Sequence, residues 1–161
     1  LNGRSLGAKP RPADDSPRDW DVTYEKGAIR AVGRNNGKEV ANEELKTAGE
    51  PAKILLSVDR SKIINDWNDV AYVTAAVVDA NGVLCPQADK IISFSISGPG
   101  VIRATDNADL SNQENYTVPI RHSYHGKCIA IIKGAGIGKT VVKATSPGLA
   151  AGSLPIEIVK P

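Results

Sequence analysis

The sequence predicts an all-β protein built as an antiparallel β-sandwich, and three observations carry that prediction. Apolar and polar side chains alternate along short segments, most clearly where Ile92, Phe94 and Ile96 alternate with three serines. Turn signals such as Asn-Gly and Gly-Pro-Gly separate these segments at intervals of about 8–15 residues. No segment shows helical periodicity with capping residues. This combination is typical of a sandwich of the immunoglobulin type.

The first 50 residues differ from the rest, because they are rich in charge and poor in large apolar side chains. Residues 9–19 contain three prolines, which predicts an extended loop. Residues 20–24 alternate apolar and polar side chains and predict a short half-buried strand. Residues 28–33 predict a second strand, followed by a hairpin-type turn at Asn35-Asn36-Gly37, and Thr47 is placed in a further edge strand. These elements are too few to form an independent core.

From residue 51 onward the two-residue period predicts about seven to eight strands. The predicted strands cover residues 54–58, 72–78, 92–97, 101–105, 118–121, 128–133, 140–145 and 154–159. Pro119 indicates that its strand lies at a sheet edge, because proline cannot donate to a central ladder. Residues 128–133 are nearly all apolar, which indicates a central strand.

Composition excludes several classes of function. The chain has 161 residues and a net charge of +2 without a basic cluster, which argues against nucleic acid as a partner. The longest apolar run is only five residues, 128–132, so no membrane-spanning helix is expected. Two cysteines are too few for a multi-cysteine metal site. The chain begins with Leu and lacks Met, so we expect it to be part of a longer protein.

Two motifs favour structural roles over chemistry. The glycine-rich segment 134–140 resembles a phosphate-binding loop, but Lys133 stands where that motif needs glycine, and a β-branched strand follows. It therefore predicts a flexible hairpin turn between two strands. His122 and His125 are three residues apart in a predicted strand-to-loop region, so we expect two surface histidines on opposite faces.

Trp67 is the first candidate binding residue. It lies in a predicted loop between two strands and is flanked by Asp66, Asn68 and Asp69. An exposed indole among polar side chains suits stacking on a sugar ring or docking of another domain. Trp67, Asp66 and Asp69 therefore form a candidate carbohydrate-binding group, and the alternative is that the indole covers one end of the sandwich.

The second candidate is the polar loop 106–114. Asp106, Asp109 and Glu114 supply the hard oxygen donors that calcium prefers, which makes them candidate metal ligands. The glycine that shapes a calcium-binding loop is missing, so the alternative is a long loop capped by Asx-type turns. Cys85 and Cys128 could form a disulfide if this part of the protein is exported, and the alternative is two free cysteines.

Catalysis has no support in the sequence. No Ser-His-Asp or Cys-His arrangement is evident, and the acid pairs 14–15 and 43–44 lie in polar loops without apolar surroundings to raise a pKa. We predict no catalytic residue and no cofactor in this chain.

Several segments resemble members of glycoside hydrolase family 2, the β-galactosidase and β-glucuronidase family. Leu1-Asn-Gly-Arg-Ser-Leu-Gly7 and the segment 20–33 resemble motifs of its immunoglobulin-like domains. Further segments are similar to its C-terminal accessory domain, and they cover residues 54–60, 73–82, 94–100 and 126–131. The motifs follow the family's order and spacing along essentially the whole chain.

The resemblance implies a non-catalytic region of a bacterial β-galactosidase-like enzyme. Residues 1–50 would be the C-terminal part of an incomplete immunoglobulin-like β-sandwich, and residues 51–161 a complete one. The implied partners are other domains of the same polypeptide, above all a TIM-barrel catalytic domain that holds the catalytic glutamates and that this region would brace. The implied location is periplasmic or extracellular. The alternative is a carbohydrate-binding or adhesion module that uses the loops around Trp67.

Overall fold

The chain forms eleven β-strands and no α-helix, in a computed structural model that describes all 161 residues. It divides into two units, Leu1–Thr47 (unit 1) and Ala48–Pro161 (unit 2). No helix exists that could cross a membrane.

Unit 1 contains one antiparallel hairpin. Strand β1 (Ala28–Asn35) pairs with β2 (Lys38–Lys46), and the residues between them, Asn36 and Gly37, have φ of 49° and 80°. Two consecutive positive φ values are typical of a type I′ turn, whose twist matches that of the strands. The predicted strand at 28–33 and the turn after it are therefore confirmed.

Two other predictions for unit 1 are wrong. Residues 20–24 form no strand, and the Tyr24 side chain is exposed. Alternation alone did not suffice there, because no second strand of the unit pairs with that segment. Thr47 was predicted in an edge strand, but it lies just after the end of β2. Strand β2 itself was not predicted, because its residues are all exposed and show no alternation of apolar and polar side chains.

Asn2 fixes the start of the hairpin. Its backbone nitrogen donates to the Ala28 carbonyl (2.8 Å), its side-chain oxygen accepts from the Ala28 nitrogen (2.8 Å), and its amide nitrogen donates to the Lys26 carbonyl (3.0 Å). Gly27 has φ of 134°, and a Cβ there would overlap the Asn2 side chain. The asparagine of the opening Leu-Asn-Gly motif thus has a structural role within unit 1.

Unit 2 contains two sheets. The five-stranded sheet has the order β4-β11-β10-β6-β8, and the four-stranded sheet has the order β3-β5-β9-β7. All neighbouring strands are antiparallel except β4 and β11, which are parallel. The strands are β3 Lys53–Val58, β4 Lys62–Ile64, β5 Val70–Val78, β6 Ile91–Ser97, β7 Gly100–Asp106, β8 Ile120–His122, β9 Lys127–Gly134, β10 Gly138–Thr145 and β11 Gly152–Val159. The all-β sandwich prediction is confirmed.

The core of unit 2 is built from small and β-branched side chains that alternate along the strands. The alternation is most regular along β5, β9 and β10, and the buried side chains of the core include Val73, Ile92, Ile132, Val142 and Ile156. Phe94 is the one aromatic residue among the buried hydrophobic side chains, and no tryptophan is buried. Burial of these faces against one another supplies most of the stabilisation of a two-layer fold.

The segment after Gly134 corrects one prediction. Strand β9 belongs to the four-stranded sheet and β10 to the five-stranded sheet, so this segment crosses between the sheets and is not a hairpin turn. A Cβ on Gly134 would lie 2.8 Å from the Asn65 side-chain oxygen and 2.9 Å from an Ile158 methyl group, so close packing requires glycine there. The sequence shows that a turn occurs, but it does not show which sheet the next strand joins.

The predictions of an edge strand and of a central strand are both confirmed. Strand β8, which begins directly after Pro119, lies at the edge of the five-stranded sheet, and β9 lies between β5 and β7. The three-residue strand β4 was not predicted, since so short a segment carries too little periodicity to be recognised.

Candidate functional site

The loop between β4 and β5 carries Trp67, and hydrogen bonds to two flanking aspartates connect its backbone. One Asp66 carboxylate oxygen accepts from the backbone nitrogens of Asn68 (3.0 Å) and Asp69 (2.8 Å). One Asp69 carboxylate oxygen accepts from the Ile64 nitrogen (2.7 Å). The Asp66 bonds close an Asx-type turn, and the Asp69 bond ties the loop back to the end of β4, so both predicted aspartates hold the loop.

The indole itself projects away from unit 2. The Trp67 residue is 82% exposed, although its backbone carbonyl accepts from the Lys133 ammonium group. Arg60 donates to the second Asp69 oxygen at 3.1 Å. The prediction of an exposed tryptophan is confirmed, and the indole does not cover the end of this sandwich.

A shallow groove of about 670 Å³ lies on unit 2, and no residue of the loop 65–69 lines it. It is lined by residues of the β3–β4 connection, of β10 and of β11 and its flanks, among them Ser61, Lys139, Pro155 and Lys160. Val159 also lines the groove, and its carbonyl accepts from the Asn65 nitrogen at 2.8 Å. The groove therefore offers both hydroxyl and charged groups beside apolar surface.

Arg121 organises the long loop between β7 and β8. Its residue is only 1% exposed, and its guanidinium donates to carbonyl oxygens of Thr105 (2.8 Å), Asn115 (3.1 Å) and Glu114 (3.2 Å) and to the Asn112 side chain (3.1 Å). A buried charge with this many acceptors ties distant loop residues to the edge of the sandwich. Sequence reasoning missed it, and the available signal was an arginine between Ile120 and His122 in an edge strand.

Glu114 completes this group. Its carboxylate lies 3.5 Å from the Arg121 guanidinium and 2.7 Å from Nδ1 of His122, and the Asn112 amide donates to it at 2.9 Å. Burial raises the pKa of Glu114, but the hydrogen bonds from His122 and Asn112 outweigh it, so the net pKa is lowered. Glu114 therefore acts as a structural carboxylate of the loop.

The three predicted metal ligands are not brought together. Asp106 accepts from the nitrogen of Asn107 (2.7 Å), and Asp109 accepts from the nitrogen and the hydroxyl of Ser111 (2.9 and 2.7 Å). The chain contains no group of three or more His, Cys, Asp or Glu side chains that could hold a metal ion. The geometry matches the alternative of Asx-type turns and gives the cation site no support.

The cysteines are both free and buried in unit 2. Burial raises the pKa of the Cys128 thiol to about 12, and burial followed by the nearby Asp79 carboxylate raises that of Cys85. Both thiols therefore stay protonated at neutral pH, which makes them unsuited to nucleophilic chemistry.

Asp79 is a further buried carboxylate that the sequence did not single out. It accepts from the backbone nitrogens of Gly49 (2.8 Å), Asn81 (2.9 Å) and Val83 (2.8 Å). The bonds from Gly49 and Val83 lower its pKa, because they stabilise the ionised form. Asp79 thus anchors the turn after β5 to the start of unit 2.

Comparison with known proteins gives consistent results. The profile of glycoside hydrolase family 2 C-terminal domain 5 matches residues 54–155, and a domain of unknown function (DUF4982) matches residues 1–41. The β-galactosidase BoGH2A of Bacteroides ovatus is 39% identical over 150 residues, which cover 92% of this chain and 18% of that protein.

Solved structures agree with the profile. A glycosyl hydrolase family 2 member from Bacteroides cellulosilyticus superposes with a TM-score of 0.87 at 34% identity over 99% of this chain and 21% of its own. A β-glycosidase from Bacteroides vulgatus gives 0.90 at 29% identity over 97% of this chain and 20% of its own. The chain thus spans about a fifth of the length of these relatives. It belongs to the glycoside hydrolase family 2 C-terminal domain 5 family.

Proposed function

We propose that this chain is the non-catalytic C-terminal region of a longer β-galactosidase-like glycoside hydrolase of family 2. The observation that carries this proposal is the match of a C-terminal domain profile to residues 54–155, in a chain that covers only about a fifth of its relatives. In this proposal the reaction belongs to a catalytic barrel elsewhere in the polypeptide, and the present region braces it.

The surface of unit 2 supports a packing role. Large apolar side chains are exposed at one edge of the five-stranded sheet, where Ile91 of β6 and Ile120 of β8 lie on neighbouring strands. The preceding loop adds the exposed side chains of Leu110, Tyr116 and Val118. Apolar surface of this kind is typical of contacts between domains of one chain.

Unit 1 supports a second element of the proposal. It contains a single two-stranded sheet, which has too few strands for independent stability. We propose that residues 1–50 are the C-terminal part of a second immunoglobulin-like sandwich, completed by strands from elsewhere in the longer polypeptide. A periplasmic or extracellular location stays a prediction.

Activity measurements on two lengths of protein test the assignment. We expect the 161-residue chain to release no nitrophenol from 4-nitrophenyl β-D-galactopyranoside, while the longer polypeptide hydrolyses it. Turnover by the chain alone would contradict a non-catalytic role. If the longer polypeptide hydrolyses a different glycoside and not the galactoside, the galactosidase assignment is wrong.

Deletion of residues 48–161 from the longer polypeptide tests the bracing role. We expect a lower unfolding temperature and reduced kcat/KM, because the catalytic domain would lose a packed neighbour. If both quantities stay unchanged, the region does not brace the catalytic domain.

A further inference from the structure

Three Asn-Gly dipeptides of the chain differ in how freely their reactive groups can meet. They are Asn2-Gly3, Asn36-Gly37 and Asn81-Gly82. In such a dipeptide the glycine nitrogen can attack the side-chain carbonyl carbon of the asparagine, because glycine carries no Cβ that hinders the approach. All of these residues are exposed, so contact with water does not distinguish the three sites. Their hydrogen bonds do distinguish them.

At the first site, hydrogen bonds hold the group that is attacked. The Asn2 side-chain oxygen accepts from the Ala28 nitrogen (2.8 Å), and its amide nitrogen donates to the Lys26 carbonyl (3.0 Å). The side chain must leave these partners before its carbonyl carbon can meet the Gly3 nitrogen. Both bonds therefore oppose the reaction, since breaking them costs free energy.

At the third site, hydrogen bonds hold the attacking group. The Gly82 nitrogen donates to the Asp79 carbonyl (3.1 Å), and the Asn81 nitrogen donates to the Asp79 carboxylate (2.9 Å). These bonds fix the backbone before and after Asn81. The Gly82 nitrogen therefore cannot turn toward the Asn81 side chain without breaking its own hydrogen bond.

The second site has neither restraint. None of the side-chain hydrogen bonds of the hairpin involves Asn36, and neither its carbonyl nor the Gly37 nitrogen is bonded within the chain. The strand ladder ends at the pair Asn35 and Lys38, so both turn residues lie beyond it. A further strand would pair with an edge of the hairpin and a second sheet would pack on its face, so completing a sandwich leaves this tip uncovered.

We propose that Asn36 is a site of spontaneous deamidation. After hydroxide takes its proton, the Gly37 nitrogen forms a bond to the Asn36 Cγ, the C–N bond of the side-chain amide breaks, and ammonia leaves. The resulting succinimide is opened by water at either carbonyl, which gives aspartate or isoaspartate. The net reaction consumes water and releases ammonia. It needs no enzyme, metal or oxidant, and it does not depend on the proposed function.

The products change the turn that joins β1 to β2. Isoaspartate lengthens the backbone by a methylene group, whereas the register of a hairpin is fixed by the length of its loop. Both products also add a negative charge at the tip. Deamidation at Asn36 therefore alters the hairpin on which unit 1 is built.

Peptide mapping by mass spectrometry tests the site in the 161-residue chain, incubated at mildly alkaline pH and sampled over time. We expect Asn36 to deamidate at least about tenfold faster than Asn2 and Asn81, because hydrogen bonds must break at those two sites first. The rate should rise with pH, since the attacking nitrogen must lose its proton. A rate at Asn36 equal to or below that of either other site would overturn the proposal.

The same chain unfolded in urea is the matched control. Unfolding removes the hydrogen bonds of Asn2 and Asn81, so the three rates should become similar. If Asn36 keeps its full advantage in urea, the neighbouring residues and not the fold set the rate, and the structural argument is wrong.

Two variants separate the site from its neighbour. Asn36→Gln should remove the fast-forming acidic product on ion-exchange chromatography, because a glutamine side chain closes a larger ring more slowly. Asn35→Gln, which changes an asparagine that no glycine follows, should keep that product. Persistence of the product in the Asn36 variant would contradict the assignment.

The longer polypeptide provides the last measurement. Asn36 should again be the fastest of the three sites, whatever glycoside that protein hydrolyses. Protection of Asn36 there would show that another part of the protein covers the turn, and it would overturn this inference without touching the proposed function.

Discussion

The two units are built from the same kind of strand, yet they differ in what covers those strands. In unit 1 no residue is buried, and both strands of the hairpin face solvent on almost every side chain. In unit 2 every strand has at least one buried residue, and the core side chains of both sheets are almost fully buried. Burial against a second layer, more than strand propensity, thus distinguishes the two regions.

This difference in burial determines how much each interaction contributes to the free energy of unfolding. Unit 1 depends on the hydrogen bonds of Asn2, on its type I′ turn and on surface ion pairs such as Arg30 with Glu39 (2.9 Å). Exposed ion pairs contribute less than about 1 kcal/mol, because water competes for both partners. In unit 2 some contacts of the same classes are buried, such as the hydrogen bonds of the Arg121 guanidinium, so their loss has larger consequences.

The largest expected effect is a cavity in the core of unit 2. Ile132→Ala on β9 should lower the free energy of unfolding by about 2–4 kcal/mol, since Ile132 is fully buried. Val40→Ala on the exposed β2 should change it by less than about 0.5 kcal/mol. Urea unfolding followed by circular dichroism measures both variants. Similar losses for the two would show that unit 1 has a core of its own.

A second comparison sets a buried arginine against an exposed one. Arg121→Met should cost about 2–4 kcal/mol, because the loop carbonyls that accept from the guanidinium lose their donor. Arg30→Met in unit 1 should cost less than about 0.5 kcal/mol. Limited proteolysis should also cut the loop 106–118 faster in the Arg121 variant. An unchanged cleavage rate would mean that the arginine does not hold the loop.

Acid stability distinguishes two carboxylates with lowered pKa values. The folded-state pKa of Asp79 lies below its unfolded value of about 4, so its ionised form stabilises unit 2 above that pH. The stabilisation is lost as the pH falls from about 4 through the lower folded pKa. Asp79→Asn should therefore destabilise at pH 7 and progressively less below pH 4, as measured by urea unfolding across pH.

Asp14 provides the matched control in unit 1. Hydrogen bonds from Ser16 lower its pKa as well, but it is exposed to solvent. Asp14→Asn should leave the pH profile of unfolding unchanged. An equal effect at the two positions would argue that burial does not set the strength of these bonds.

The smallest effect concerns a buried hydroxyl without a partner. The Thr140 side chain is fully buried on β10 and makes no hydrogen bond, so Thr140→Val should stabilise unit 2 by about 1 kcal/mol. Thr105 is equally buried, but its hydroxyl donates to the Val118 carbonyl at 2.9 Å. Thr105→Val should destabilise by a similar amount. Thermal unfolding measures the stability of both variants. A change in the same direction for both would contradict this account.

Much of unit 2 could be predicted because its strands obey a simple rule. The alternation of Ile92, Phe94 and Ile96 with serines follows from one face being buried, and the structure places all three residues in β6. The rule failed at residues 20–24, where alternation occurs without a pairing strand, and in β2, where a paired strand shows no alternation. Pairing is a property of two segments, so one segment cannot reveal it.

The candidate site also combines features that the sequence could predict with features that it could not. The exposure of Trp67 could be predicted, because aspartates and an asparagine flank it in a loop. The link from Lys133 to its carbonyl could not, since these residues lie 66 positions apart. Arg121 was missed for the same reason, because its acceptors are gathered from a long loop that no periodicity describes.

Local alternation and turn residues suffice to predict the all-β class, most of the strands of unit 2 and the tight turn of unit 1. The folded structure is needed to see which sheet each strand joins, that the segment after Gly134 crosses between the sheets, and which polar side chains are buried. These features depend on contacts between residues far apart in the chain, where packing and desolvation, and not local propensity, set the free energy.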